Sequence, residues 1–186
     1  MTRRISSGGL QVLSGMVLVA ALGCAEPAPD DAESAPVATE AEAEPNPPAP
    51  DFEHADLDGN VVRLADLRGK TVVIDFWATW CAPCVFQPSE LNRVVAATRG
   101  SGEVVVLGIE VGGASAEEVR AWAQDNDAVA DYPILLGADE ELARRYGALG
   151  FPALVVIDPE GGIDALHLGL SEAAEVEAAI ARVQES

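Results

Sequence analysis

The sequence predicts an α/β fold, a mixed central sheet flanked by helices, with an N-terminal β-hairpin extension. Three observations carry this. Short apolar runs (Thr71–Trp77, Val104–Val111, Ala153–Ile157) have strand length. Segments with helical apolar spacing and caps separate them. The chain closes on a strand pair and a helix, and such alternation packs as helices on the two faces of a sheet.

Phe52 to Leu57, Asp58-Gly59 and Val61 to Leu64 read as a hairpin with its turn at Asp-Gly. Thr71–Trp77 is apolar except for Asp75, the pattern of a strand buried on both faces. Pro83 falls in the first turn of the next helix, where its missing N–H costs nothing. That helix runs through Leu91, Val94 and Val95 to about Arg99, and Gly100-Ser101-Gly102 ends it. Pro88, inside it, predicts a kink. Val104–Val111 is the second apolar strand. Ser115 and Glu118 form a capping box for a helix ending near Asn126. Ile134–Leu136 predicts a short added strand. Asp139–Tyr146 predicts a helix closed by Gly147. Ala153–Ile157 is a strand, Asp158–Gly162 a turn, Leu166–Leu170 a closing strand, and Ser171–Gln184 a helix capped by Ser171. No internal repeat is visible.

Three regions differ in composition. Residues 1–23 place Arg3 and Arg4 before an uncharged run, the layout of a signal peptide. The run ends Ala21-Leu22-Gly23-Cys24, which resembles a lipoprotein lipobox and implies lipidation of Cys24. An uncleaved anchor, or a plain signal peptide with an incidental cysteine, fits the same layout. Residues 24–50 hold seven prolines and seven acids, with no basic or aromatic residue. Such a segment buries too little apolar surface to offset chain entropy, and reads as a disordered, extended tether. Residues 51–186 are the folded domain. Its 24 acidic against 9 basic residues, within a total net charge of −20, disfavour nucleic acid as a partner.

The chemistry is concentrated in Asp75-Phe-Trp-Ala-Thr-Trp80-Cys81-Ala-Pro83-Cys84. A strand delivering Cys-x-x-Cys to a helix start is the layout of a dithiol/disulfide site, because helix-terminal N–H groups stabilise the attacking thiolate. Cys81, first in the motif, is expected to be exposed and to attack. Cys84, one turn on, is expected to be buried and to resolve the mixed disulfide. A zinc half-site lacks partners, since four Cys or His ligands are the norm and only His54 and His167 remain. A merely structural disulfide is the other alternative. No metal and no cofactor is expected.

The ten residues resemble the thioredoxin active site, and residues 50–185 resemble the TlpA/ResA branch of that superfamily. Ala49-Pro50-Asp51-Phe52, Leu64–Lys70 and Gly150-Phe151-Pro152-Ala153 through Gly161 extend the match. The resemblance implies a thioredoxin-like three-layer fold and a protein-disulfide oxidoreductase. It implies a cis-proline at Pro152 facing the disulfide, where spacing alone also allows an ordinary trans proline. It implies that Trp80, Pro83, Phe151 and Pro152 contact substrate. Thioredoxin has a buried Asp matching Asp75 that takes the proton of the second cysteine; a salt-bridged structural Asp, paired with Lys70 or an Arg, is the alternative. Many branch members carry instead Asn there and a Glu at the position of Gln87. The implied partners are disulfide-containing exported proteins, a membrane thiol carrier as electron donor and the membrane itself, with the chain a lipid-anchored monomer outside the cytoplasm. A reductant is expected, and the resemblance implies a role in cytochrome c maturation or in reducing other exported proteins. The absence of a Thr-x-x-Cys motif argues against a peroxidatic cysteine. The competing class is a thioredoxin-fold binding or metal-carrying module without redox turnover.

Overall fold

The computed structural model describes residues 45–185. The expectations for the leader, for Cys24 and for the tether up to residue 44 lie outside those residues.

Seven strands form one sheet in the order β2-β1-β5-β4-β3-β6-β7. The strands are β1 (Glu53–Asp56), β2 (Val61–Arg63), β3 (Thr71–Trp77), β4 (Val104–Glu110), β5 (Ile134–Leu136), β6 (Ala153–Ile157) and β7 (Ile163–Leu168). The pairs β3/β4 and β4/β5 are parallel, and the other neighbours are antiparallel. β3 lies centrally and every one of its residues is buried, as its unbroken apolar run dictates. The helices are α1 (Gln87–Thr98), α2 (Ala116–Asp125), α3 (Glu140–Arg145) and α4 (Ala173–Glu185). One face of the sheet packs Ile74, Phe76, Leu107 and Ile109 with Leu142 and Tyr146 of the α3 region. The other packs Val73, Trp77 and Val106 with Leu91 and Val94 of α1, Val119 of α2, and Val176 and Ile180 of α4. This is the expected three-layer arrangement, with the hairpin β1–β2 added at one edge.

Four local expectations change. The helix after the cysteines does not run unbroken with a kink: a 3₁₀ segment, Ala82–Phe86, precedes α1, and Pro88 lies in the first turn of α1. A proline there removes no internal helical hydrogen bond, so the chain changes helix type at the proline. β7 begins at Ile163, three residues before the expected strand, because the turn closes tightly through Gly161 N–H to the Asp158 carbonyl. Ser171 does not cap α4 through its side chain: Glu172 N–H bonds the Glu175 carboxylate and Ala173 N–H bonds Glu90. Residues 46–50, grouped by composition with the tether, are stitched to the domain. Ala49 N–H donates to Gly161 O at 2.9 Å, Ile163 N–H to Pro47 O at 2.8 Å, and the Tyr146 hydroxyl to Pro50 O. The capping box of Ser115 and Glu118 forms as the sequence predicts.

Candidate active site

β3 ends at Trp77, and the chain then turns sharply, with Cys81 N–H donating to the Ala78 carbonyl at 3.0 Å. The turn places Cys81 at the start of the 3₁₀ segment and Cys84 within it. The two cysteines form a disulfide, their Cα atoms 5.4 Å apart. Cys84 is 1% exposed, as expected. Cys81 is only 5% exposed, which corrects the expectation of an open thiol. The bond to Cys84 ties its side chain into the core beside Trp77 and Ala78. Its sequence neighbours form an exposed rim: Trp80 is 61% exposed, and Ala82 and Pro83 are exposed with it.

The Phe151–Pro152 peptide is cis. Pro152 is buried at the start of β6, while half-buried Phe151 meets Trp80 edge-on, ring centroids 5.9 Å apart. Trp80, Cys81, Cys84, Phe151 and Pro152 are thus gathered at the ends of β3 and β6, antiparallel neighbours in the sheet.

Asp75 lies on β3, two residues before Trp77 and on the same face. It is 2% exposed, and its Oδ1 has no hydrogen-bond partner. Burial in apolar surroundings pushes its carboxyl up to about 8. Lys70, the cation considered for it, donates instead to the Gly102 carbonyl at 2.8 Å. Asp75 lines a cleft of about 160 Å³ together with Trp77, Pro88, Trp122, Tyr132 and Ile134. Trp122 stacks obliquely on Trp77, centroids 4.6 Å apart.

Sequence reasoning missed two residues here. Tyr132 is buried with its hydroxyl unpartnered, and both burial and the nearby Asp75 carboxylate push it well above its ordinary value, so it keeps its proton. Glu110 ends β4 opposite Trp77, fully buried, its carboxylate accepting the amides of Gly112 and Ala114 at 3.0 Å each. A lone acid at the end of an apolar strand was its only signal. Gly112 is required beneath Trp80, because a Cβ there would lie 2.8 Å from the indole Nε1. Gln87 is also fully buried. It clamps Ser171 from both sides, donating to its carbonyl at 3.0 Å and accepting its amide at 2.9 Å.

The AhpC/TSA family matches residues 45–166, most of the folded part. The chain belongs to the AhpC/TSA family. Within it, the chain is 30% identical to the thioredoxin-like protein YneN of Bacillus subtilis over 129 residues, 69% of this chain and 74% of that one. It is 31% identical to the thiol-disulfide oxidoreductase ResA of Geobacillus thermodenitrificans, over 65% of this chain and 67% of that one. Among solved structures, a thioredoxin-family thiol:disulfide interchange protein from Chlorobium tepidum superposes with a TM-score of 0.63 at 26% identity, covering 77% of this chain and 99% of that one. With its Cys81–Cys84 pair, this AhpC/TSA member is a ResA-like thiol-disulfide oxidoreductase.

Proposed function

We propose that this AhpC/TSA member reduces disulfides in exported proteins through the Cys81/Cys84 dithiol, while tethered to a membrane by lipid on Cys24. The observation that carries the proposal is the buried disulfide at the end of the central strand with an unpaired carboxyl, Asp75, in that same strand. In the reduced protein the Cys81 thiolate attacks a substrate disulfide, forming a mixed disulfide and releasing one substrate thiolate. Asp75, once it has given its own proton to solvent, takes the proton of Cys84, whose sulfur attacks Cys81 Sγ. The second substrate thiol leaves, and the Cys81–Cys84 bridge closes. The substrate gains two electrons, and a membrane thiol carrier restores them to the protein. Trp80, Pro83, Phe151 and Pro152 are the contact surface for an extended substrate strand.

The direction of electron flow is argued from the dipeptide Ala82-Pro83. It brings no additional donor to the thiolate, so the reduced form lacks the stabilisation of a strong oxidant. Export and tethering are supported by Arg3, Arg4, the uncharged run after them and Cys24. The domain division follows: leader to residue 23, tether from residue 24, thioredoxin-like domain beyond it. Insulin reduction should be abolished by Cys81→Ser, and the reduction potential should lie below about −180 mV. A higher potential would make the protein an oxidant. Full activity in Cys81→Ser would favour a binding module.

A further inference from the structure

We propose that Tyr132 is a positioning residue for Asp75: its hydroxyl and the Asp75 carboxyl hold water between them in the cleft, and through that water the Asp75 proton exchanges with solvent. The inference rests on the reading of Asp75 as the proton acceptor for Cys84.

Three observations support it. Asp75 Oδ1 and Tyr132 Oη are both buried, and neither has a protein partner. Buried polar atoms left unsatisfied are costly, and the usual remedy is water with two or more polar contacts. Both residues line one cleft of about 160 Å³, roomy enough for more than one water at about 30 Å³ each. The cleft is otherwise largely apolar, with Trp77, Pro88, Trp122 and Ile134 on its walls, so a water there is drawn to these two groups.

The backbone makes the approach possible. Gly108 pairs with Asp75 across β3 and β4. A Cβ at Gly108 would lie 3.3 Å from Tyr132 Cε2 and 2.4 Å from Ile134 Cδ1. The missing side chain leaves space that Ile134 Cδ1 fills, with the Tyr132 and Trp77 rings bordering it across from Asp75.

The other ionisable groups around the carboxyl are committed elsewhere or set back. Arg120 of α2 lines the cleft but donates to Leu57 O at 2.6 Å and pairs with Asp58 at 2.9 Å. Glu110, two residues along β4, is bound by backbone amides. His167 lies on β7, beyond Leu154 of β6. Among the ionisable groups lining the cleft, Tyr132 is left as the one whose hydroxyl can serve an ionised Asp75 through water.

Infrared titration of the full-length oxidised chain tests this. The protonated carboxyl band of Asp75 is assigned by its loss in Asp75→Asn. In Tyr132→Phe, which removes only the hydroxyl, the midpoint of that band should rise by about one pH unit, the size expected for losing a hydrogen bond to a charged group. A rigidity role for the ring would leave the midpoint in place. If the parent midpoint is raised but does not move in Tyr132→Phe, the role of Tyr132 is overturned and that of Asp75 stands. A parent midpoint in the ordinary carboxylate range overturns both.

Discussion

A carboxyl in the middle of a buried strand is expensive unless it remains neutral. Asp75 meets that condition, with burial pushing it up to about 8 from an ordinary 3.8. The consequence for stability has a definite sign. The folded state holds the proton more tightly than the unfolded chain, so the contribution is complete below about pH 4 and is lost as pH rises through about 8. Thermal melts of the oxidised protein should therefore show stability falling between about pH 4 and pH 8, and Asp75→Asn should flatten that slope. The same substitution should lower insulin reduction at neutral pH by about a hundredfold or more, the usual weight of a positioned acid/base group. Much of this was legible in sequence, because an acid in an apolar run six residues before Cys81 is conspicuous. The exposure of Cys81 was not: motif order ranks the two thiols, but the depth of the closed disulfide depends on packing beside Trp77 and Ala78.

At the scale of elements, the site depends on contacts between segments far apart in the chain. Gln87 and Ser171 are 84 positions apart, and their paired hydrogen bonds fix the start of α1 against the chain entering α4. Gln87→Ala leaves a buried amide and carbonyl of Ser171 without that partner. It should cost about 1–3 kcal/mol in denaturant unfolding while leaving the sheet intact. No sequence pattern exposes such a pair; Gln87 was legible only as a departure from the Glu found in similar chains. The strands were readable where burial is two-sided, as in β3 and β6, since a continuous apolar run has strand length and clear boundaries. β7 was misplaced because its residues alternate between half-buried and exposed, and the exposed leucines Leu166, Leu168 and Leu170 read in sequence as a buried strand. Gly112→Ala belongs to this scale too. The added Cβ would press on Glu110 Oε1 at 2.7 Å and on the Trp80 indole, and should alter Trp80 fluorescence with a smaller effect on melting.

For the whole molecule, the described domain begins before the acidic tether was expected to end. The bonds of Pro47 and Ala49 join the β6–β7 turn and the start of β7 at the end of the sheet where β3 begins, away from the cysteines that follow the end of β3. A chain starting at residue 45 should fold and reduce insulin with full activity. One starting at residue 51 loses those bonds and should be less stable by about 1–3 kcal/mol, measured by urea unfolding. Composition concealed this boundary, because proline and acid content do not reveal the two backbone bonds that Pro47 and Ala49 make to Ile163 and Gly161. The net charge of −20 leaves the site itself little changed, since its nearest acids are buried or held by backbone amides.

The proposed exchange requires the two sulfurs to differ in reach once the bridge opens. Mass-resolved alkylation of the reduced, folded protein with iodoacetamide measures this directly. Cys81 should be modified well ahead of Cys84, at a rate reporting a thiolate at neutral pH. Modification of Cys84 first, or of neither cysteine until the protein unfolds, would contradict it.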